Sequence, residues 1–379
     1  MALRYRKLLA VATVVPLVLV TACSGGGNAS SGSAPGLSSA LSAPGGPIPS
    51  TPAPGSQSLS ETGSTLLAQL MGTWAAAYHR QYPNVSITTA GTGSGKGISE
   101  ASGGKVDIGA SDAYLSSGDL VQNPTLLNIP LAISAQQVNY NLPGLPAGAH
   151  LRLDGPVLAQ MYQGTITTWN DAAIRHLNPG VALPGTPVVP LRRFESSGDT
   201  FLFTSYLSTH SSDWNNTIGY GTTVAWPSAA RSVTGGNKGM VSECKVTVGC
   251  VAYIGISFLN EARDKGLGWA QLANALGQYE LPSAATISAA VASFVSSTPA
   301  NETISMVDGP ASGGYPIVNY EYAIVSIRQR SAAVARDIKA FLHWVITTGN
   351  SPQYLEGVQF QPLPPSVLSL CDAQIAKIG

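Results

Sequence analysis

From residue 58 onward, short apolar runs rich in β-branched residues alternate with helical segments. The runs that predict strands lie at residues 85–90, 106–110, 127–133, 137–142, 188–191, 251–256, 304–308 and 321–327. The segments that predict helices lie at residues 64–82, 155–162, 171–177, 199–208, 266–272, 286–295 and 332–347. Because strands and helices that alternate along a chain form layers, this order predicts an α/β protein with mainly parallel sheets.

The composition excludes two broad classes of protein. The 20 Lys and Arg residues balance the 20 Asp and Glu residues, so the chain lacks the basic excess of a nucleic-acid binder. Its hydrophobic content of 44% excludes an intrinsically disordered chain. The chain has 379 residues, and since a single core rarely exceeds about 250–300 residues, we expect two domains. Any bound anion must be held by local hydrogen bonds, because no net positive charge attracts it.

The first residues predict export. Basic residues at positions 4, 6 and 7 precede an apolar run of about 13 residues, which matches a signal peptide and is short for a membrane span. The small residues before Cys23 resemble a bacterial lipobox, in which this cysteine is lipidated and becomes the mature N-terminus. We therefore expect residues 1–23 to be a signal peptide and the protein to be lipid-anchored on the extracytoplasmic face of the cell membrane. An ordinary cleavable signal with an incidental cysteine is the alternative.

Residues 24–57 consist almost entirely of Gly, Ser, Ala, Pro and Thr. Such a segment has too little apolar surface to offset the entropy of ordering it. It predicts a flexible linker between the lipid anchor and the folded part.

Three cysteines follow Cys23. Cys244 and Cys250 flank a turn-like stretch, and outside the cytoplasm this spacing predicts a small disulfide loop. Cys371 then has no partner. No histidine lies within ligand spacing of these cysteines, so we expect no metal site.

Three glycine turns each open a predicted helix. They lie at residues 61–67 (ETGSTLL), 91–98 (GTGSGKGI) and 193–201 (RFESSGDTF). A helix start presents unpaired backbone N–H groups and a partial positive charge, glycine lets the backbone approach a ligand, and Ser or Thr adds a hydroxyl donor. Together these features predict an anion site that needs no surplus of cations. Plain helix capping by Ser and Thr is the alternative.

The sequence does not match either of two catalytic motifs that its glycine turns suggest. Residues 91–98 lack the glycine spacing of a P-loop, and Gly97 follows Lys96 where a P-loop needs Ser or Thr. The stretch around Ser94 also lacks the G-x-S-x-G spacing of a hydrolase elbow. We therefore expect neither nucleotide hydrolysis nor serine-hydrolase chemistry.

An aspartate follows one of the predicted strands directly. Residues 106–113 (VDIGASDA) place Asp112 at the carboxyl end of the strand, where open α/β sheets bind ligands. The alternative is that Asp112 only caps the next turn.

These motifs together resemble those of a known family. Residues 61–67, 91–98, 109–115 and 193–208 are similar to the ligand loops of PstS-type phosphate-binding proteins, which feed a phosphate ABC transporter. The likeness continues in residues 132–144, 251–259 and 359–365 and covers the chain from Leu59 onward. It implies a two-lobed type II periplasmic-binding-protein fold with the ligand cleft between the lobes and a two-strand hinge. Lobe I would comprise residues 58–133 and 311–379, and lobe II residues 134–310.

The resemblance also implies the ligand residues and their roles. The implied phosphate-binding set is Ser64, Thr65, Leu66, Ser94, Asp112, Arg193, Ser197, Gly198 and Asp199. Arg193 would supply the only full positive charge and can hold two oxygens at once, with Glu195 supporting its guanidinium. Asp112 would accept a hydrogen bond from protonated phosphate, whereas sulfate has no proton to donate and would be repelled. No cofactor is implied.

The third loop departs from the family pattern. The family usually reads Arg-x-Asp-Gly-Ser-Gly, and this chain has Glu195 and Ser196 in place of Asp and Gly. The longer Glu195 arm changes the pairing with Arg193, and Ser196 replaces a glycine of a kind that can adopt positive φ. We expect affinity or anion preference to differ from those of relatives.

The function that follows is that of a lipid-anchored extracytoplasmic receptor that binds inorganic phosphate and delivers it to an ABC permease. Hinge closure would bury the ligand and present the closed form to the permease. We expect no enzymatic activity, because the sequence offers no metal cluster and no paired nucleophile and base. The alternatives are a binder of another oxyanion (sulfate or molybdate), a secreted phosphatase and a surface lipoprotein without transport.

Overall fold

The computed structural model describes residues 47–55, 57–146 and 148–379. The strands are β1 Gln57–Gly63, β2 Val85–Thr88, β3 Ile108–Ser111, β4 Leu126–Tyr140, β5 Arg152–Leu153, β6 Val189–Arg193, β7 Arg231–Val233, β8 Cys250–Gly255, β9 Gly268–Trp269, β10 Gln271–Ala273, β11 Tyr279–Glu280 and β12 Val318–Ser326. The α-helices are α1 Ala68–Gln81, α2 Ser94–Ser102, α3 Ser117–Gln122, α4 Gly155–Gln163, α5 Ala172–Leu177, α6 Gly198–His210, α7 Ser212–Thr217, α8 Gly236–Val246, α9 Leu259–Asp264, α10 Ala284–Ala292, α11 Ala332–Ile346, α12 Pro352–Leu355 and α13 Pro365–Ile375.

Most strands belong to one large sheet, in the order β2-β1-β3-β12-β4-β8-β6-β7, with β9 paired to β4. Strand β1 runs parallel to β2 and β3, and β6 runs parallel to β7 and β8. The central strands β12 and β4 are antiparallel to each other and to their outer neighbours. The expectation of mainly parallel sheets therefore holds on each side of the sheet but not at its centre.

Strand β4 joins the two sides. Its first part, through Ala135, pairs with β12, and its last part, from Gln136 to Tyr140, pairs with β8. We call β2, β1, β3, β12 and the start of β4 the first half-sheet, and the end of β4 with β8, β6 and β7 the second half-sheet. The sequence predicted two separate strands here because polar residues interrupt the apolar run. One continuous buried strand forms because those polar side chains are bonded inside: Ser134 Oγ donates to Glu321 at 2.6 Å.

Two other predicted elements are wrong. Residues 266–272 were predicted as a helix, but they contain β9 and the start of β10, and Ala270 N donates to the Val138 carbonyl. Residues 304–308 form no strand; Val307 makes only an isolated bridge with Ile317. The sequence also missed β1, whose hydroxyl residues hide its strand character, and α8.

The helices pack their apolar faces onto the sheet. Helix α1 buries Leu70, Met71 and Trp74, and the Trp74 indole N–H donates to the Gly349 carbonyl at 2.8 Å. Helix α11 buries ten of its residues, among them Phe341. This packing keeps the helix starts fixed relative to the ends of the strands.

The described end of the predicted linker packs on the folded part. Ala53 is buried, and its N–H donates to Asp337 Oδ1 at 2.6 Å. Residues 47–55 are therefore not a free tether. The predicted signal peptide, the lipidation site Cys23 and residues 24–46 of the predicted linker lie outside the described residues.

The predicted disulfide between Cys244 and Cys250 is confirmed. Cys371 is a free, buried cysteine whose Sγ lies 3.1 Å from Glu302 Oε1. Within the described ranges, no helix is both long enough and apolar enough to cross a membrane.

Candidate anion-binding site

The first glycine turn links β1 to α1. Gly63 has φ +148°, and a Cβ there would collide with the Ala110 carbonyl oxygen, so only glycine fits this close approach. Ser64 N donates to that same carbonyl at 2.9 Å. The turn is thereby held against the end of β3, immediately before Asp112.

The second turn places Ser94 at the start of α2. Thr92 N and Gly93 N both donate to the Gly63 carbonyl, so the first two turns are bonded to each other. The Ser94 hydroxyl donates to Asp112 Oδ2 at 3.2 Å and accepts from Asp112 N at 3.2 Å. Asp112 is thus fixed by the two turns of the first half-sheet.

The third turn comes from the second half-sheet and meets Asp112 from the other side. Strand β6 ends at Arg193, and α6 begins at Gly198. A Cβ on Gly198 would lie 2.6 Å from Asp112 Oδ2 and 2.7 Å from Ser94 Oγ. A backbone bond of 3.2 Å from Gly95 N to the Ser196 carbonyl also joins the two half-sheets here.

Arg193 lies buried at the centre of this contact, with 1% of its surface exposed. Its guanidinium donates to Asp199 Oδ2 at 2.6 Å, to Glu195 Oε1 at 2.5 Å and to Thr65 Oγ1 at 3.0 Å. Burial lowers the pKa of Arg193, but the charges of Asp199 and Glu195 outweigh burial and raise it. The predicted pairing of Glu195 with Arg193 is present, and Asp199 adds a second carboxylate to it.

Among the residues that the structure describes, no cation forms an ion pair with Asp112. Its carboxylate accepts hydrogen bonds from the hydroxyls of Ser64 and Ser94. Burial, followed by the negative charges of Glu321 and Asp199, raises the pKa of Asp112 well above its usual range. The alternative role for Asp112 was to cap the next turn, but its carboxylate bonds Ser64 and Ser94, and it is the Ser111 hydroxyl that accepts from Ala113 N in that turn.

Plain capping also does not account for the serines of the second and third turns. The N-cap residues of α2 and α6 are Gly93 and Ser197, and neither makes a side-chain cap bond. In the first turn, Ser64 Oγ does accept from Leu67 N at 2.9 Å. At these two helix starts, the serine hydroxyls therefore do not serve as helix caps.

The structure brings the predicted residues together. The set consists of Ser64, Thr65, Leu66, Ser94, Asp112, Arg193, Ser197, Gly198 and Asp199, with Glu195 behind the arginine. All of them are buried except Thr65 and Glu195, which are half-buried. Ser196 is not among the described non-glycine residues with positive φ, so serine replaces the family's glycine there without backbone strain.

Sequence reasoning missed Asn237, at the start of α8. Its amide donates to Thr65 Oγ1 at 3.0 Å and to Asp199 Oδ2 at 2.7 Å. A Cβ on the preceding Gly236, at φ +67°, would lie 2.7 Å from Thr65 Cγ2. Residues 234–237 (TGGN) repeat the glycine-turn design of the other three loops, so the same pattern could have found Asn237.

Sequence reasoning also missed Glu321, on β12. It is completely buried, and its Oε2 lies 3.5 Å from the Ser64 hydroxyl. No motif marks this position, because its place beside Asp112 depends on the pairing of β12 with β3.

The chemistry of the cluster fits an oxyanion that carries a proton. Hydroxyls, helix-start N–H groups and one guanidinium are donors, and Asp112 is an acceptor among them. A cavity of about 580 Å³ lies beside the cluster, between the half-sheets, and is lined among others by Tyr114, Ser196 and Phe201. Among the described residues, no group of three His, Cys, Asp or Glu side chains is placed to hold a metal ion.

Comparison with known families and sequences gives a consistent result. A family model described as a PBP superfamily domain matches residues 49–348. The phosphate-binding protein PstS of Methanocaldococcus jannaschii is 32% identical over 396 residues, covering 98% of this chain and 93% of the relative. The phosphate-binding protein PstS of Xylella fastidiosa is 30% identical, covering 84% of this chain and 85% of the relative.

Solved structures share the fold. A phosphate-binding protein from Stenotrophomonas maltophilia superposes with a TM-score of 0.64 at 19% identity, over 84% of this chain and 93% of that one. A high-affinity periplasmic phosphate-binding protein solved with bound phosphate gives a TM-score of 0.65 at 22% identity, over 83% of this chain and 92% of that one. These neighbours confirm the predicted two-lobed α/β fold.

Proposed function

Since the chain belongs to the PBP superfamily and, within it, to the PstS phosphate-binding proteins, we propose that it is an extracytoplasmic receptor that binds inorganic phosphate and delivers it to an ABC permease. The observation that carries this proposal is the position of Asp112. It lies buried among hydroxyl and N–H donors, across from the N-terminus of α6. The role is that of a transport receptor and not of an enzyme.

The donors and the acceptor together account for the choice of anion. Arg193 and the starts of α2 and α6 attract a tetrahedral anion, which has four oxygens to be hydrogen-bonded. Hydrogen phosphate can donate its proton to Asp112, whereas sulfate has none at neutral pH. An unprotonated oxygen facing Asp112 in a dry site costs about 1–3 kcal/mol or more, which favours phosphate.

The connection between the two half-sheets supports a hinge about which the two lobes close. Strand β4 runs from one half-sheet to the other, and it changes its pairing partner between Ala135 and Gln136. This change supports a boundary near residue 134, with residues 58–133 and 311–379 as lobe I and residues 134–310 as lobe II. Phosphate binding to both lobes would favour the closed form in proportion to its extra contacts there.

The proposed location rests on the N-terminal sequence. A signal peptide that ends at a lipidated Cys23 would anchor the chain to the membrane, and the Gly- and Ser-rich segment after it would let the receptor reach the permease. Mass spectrometry of the mature protein tests this anchor. An N-terminal fragment without a lipid on Cys23 contradicts it.

Binding is tested on protein purified without added phosphate. We expect phosphate to be released on denaturation, and calorimetry on stripped protein to show tight binding of phosphate and weak binding of sulfate and molybdate. A chromogenic phosphate ester, added in parallel, should not be hydrolysed. Equal affinity for sulfate, or turnover of the ester, contradicts the proposal.

A further inference from the structure

Glu321 is a buried carboxyl group behind the proposed anion site. It extends from β12 and is fully buried. Its Oε1 accepts from the Ser134 hydroxyl at 2.6 Å and from the Asn319 amide at 3.0 Å. Its Oε2 lies 3.5 Å from the Ser64 hydroxyl, which also donates to Asp112. Ser64 therefore connects the two carboxyl groups.

The charged groups around Glu321 are mostly other carboxyls. Asp112 faces it from the end of β3, and Asp199 acts on it from α6. Arg193, on β6, is already paired with Asp199 and Glu195.

The remaining neighbouring elements add no balancing charge. Lys96 and Glu100, on α2, pair with each other near the surface. Strand β4 and helix α10, which also pack on β12, carry no Asp, Glu, Lys, Arg or His. Within the described part of the chain, neither Glu321 nor Asp112 has a cation as a hydrogen-bonding or ion-pair partner.

Two adjacent carboxylates without a cation are unfavourable in a buried site. Burial, and then the charge of each neighbour, raises the pKa of Asp112, and burial likewise raises the pKa of Glu321. Groups this close lose their protons in two coupled steps that belong to the pair. The pair therefore retains its last proton to a higher pH than either carboxyl would alone.

We propose that Asp112 and Glu321 share one proton, and that Glu321 is the positioning residue that holds this proton when phosphate binds and so leaves Asp112 ionised to accept a hydrogen bond from the anion. The inference rests on the proposed function, because the anion in question is phosphate. Gly198 packs against Asp112. Closing of the two lobes would therefore exclude water from the two carboxyl groups and increase their affinity for the proton. Binding then takes up a proton, and loss of that proton at higher pH places two carboxylates beside the anion.

The test uses Glu321→Gln, which keeps the shape of the side chain but cannot titrate. Inorganic phosphate is titrated into the stripped full chain by calorimetry from pH 7 to pH 9.5, in two buffers of different ionisation enthalpy. For the unaltered chain, we expect proton uptake, and affinity that falls by up to about tenfold per pH unit where the pair loses its proton. For E321Q, we expect a flatter profile and about one proton fewer taken up.

Glu302→Gln is the matched control. Glu302 is also a fully buried glutamate, but its carboxylate contacts Cys371 and lies outside the anion site. We expect E302Q to keep the phosphate pH profile of the unaltered chain. The same proton count and pH slope in E321Q as in the unaltered chain overturns the inference, while absence of phosphate binding by the unaltered chain overturns the proposed function itself.

A second variant keeps the test decisive if E321Q does not fold. Ser134→Ala removes a hydroxyl that stabilises the ionised form of Glu321, so the fall in affinity should shift to higher pH. Folding of each variant is checked by circular dichroism before titration. A fall in affinity at an unchanged pH in S134A overturns the inference.

Discussion

Arg193 and Asp112 lie on opposite sides of the same site, and both are almost fully buried, but only Arg193 has its charge balanced by neighbours. Asp199 and Glu195 both pair with Arg193. Within the described part of the chain, the Asp112 carboxylate is bonded by hydroxyl donors, lies near the carboxyl of Glu321 and has no ion-pair partner. The second half-sheet thus provides a cation that is paired with two carboxylates, and the first half-sheet provides an acidic group whose protonation can vary.

This difference assigns separate tasks to the two sides. A buried guanidinium that is held by two carboxylates can donate hydrogen bonds to any oxyanion and does little to distinguish one from another. An acidic group without a cation responds to whether the anion carries a proton. Affinity should therefore depend mainly on the second half-sheet, and selectivity mainly on the first.

The largest expected effect is that of Arg193→Ala. The change removes the guanidinium and leaves Asp199 and Glu195 as unbalanced negative charges near the anion. Phosphate affinity, measured by calorimetry, should fall by about 4 kcal/mol, roughly a thousandfold.

Arg192→Ala is its control, because Arg192 is on the same strand and donates only to the Arg193 carbonyl. We expect near-unaltered phosphate affinity in that variant. If R193A binds phosphate with near-unaltered affinity, Arg193 does not contribute to the site and the contrast drawn between Arg193 and Asp112 is wrong.

Glu302, a buried carboxyl remote from the anion site, should affect the pH dependence of folding stability without affecting anion binding. Burial raises the pKa of Glu302 from 4.5 to about 8. A carboxyl with a raised pKa in the folded state favours folding at low pH and loses that contribution as pH rises through about 8. Glu302→Gln should therefore lose less stability than the unaltered chain between pH 5 and pH 8, by on the order of 3 kcal/mol.

Denaturant unfolding at the two pH values measures this difference. The exposed Glu356→Gln should behave like the unaltered chain at both. If E302Q and the unaltered chain lose the same stability, Glu302 is not protonated in the folded state.

Asp112→Asn tests whether Asp112, on the first half-sheet, determines the selectivity for phosphate. The asparagine amide can donate to an unprotonated oxygen, so sulfate is no longer repelled. The difference between the binding free energies of phosphate and sulfate should decrease by about 2 kcal/mol, roughly thirtyfold in the affinity ratio. The affinity for phosphate itself should fall by less than this.

Competition calorimetry with both anions gives this ratio. Asp264→Asn, at an exposed aspartate, should leave it unchanged. Unchanged rejection of sulfate in D112N would refute the selective role of Asp112.

The sequence predicted the parts of the site that share a local design. Arg193 and Ser94 stand beside or within glycine turns between a strand and a helix, and Asp112 follows a strand end directly, so each could be identified from its neighbours. Asn237 follows the same design and was overlooked because α8 was not predicted. Glu321 could not be found this way, because it reaches Asp112 through the antiparallel pairing of β12 and β3, which are about two hundred residues apart in sequence.

The fold, too, has parts that the sequence predicted and parts that it could not predict. The alternation of apolar runs and helical segments predicted the α/β class and six of the thirteen described α-helices, including α11 within one residue. It could not predict that β4 is continuous, because the polar residues at its middle are bonded only to residues distant in sequence: Gln136 Nε2 donates to the Asp199 carbonyl at 2.8 Å. Tertiary contacts decide such positions, and local patterns do not contain them.

Asn237→Ala should give the smallest effect and tests whether the second half-sheet needs more than its ion pairs. The Asn237 side-chain amide donates to Asp199 and Thr65 through Nδ2, and its Oδ1 accepts from Gly255 N at 2.8 Å. Its loss leaves Arg193 in place but less firmly oriented, so phosphate affinity should fall by about 1–2 kcal/mol with little change in the preference over sulfate. Asn215→Ala, on the exposed face of α7, is the control and should bind phosphate normally. If N237A instead alters the phosphate-to-sulfate ratio as strongly as D112N does, selectivity does not belong to the first half-sheet alone, and the division of tasks between Arg193 and Asp112 is wrong.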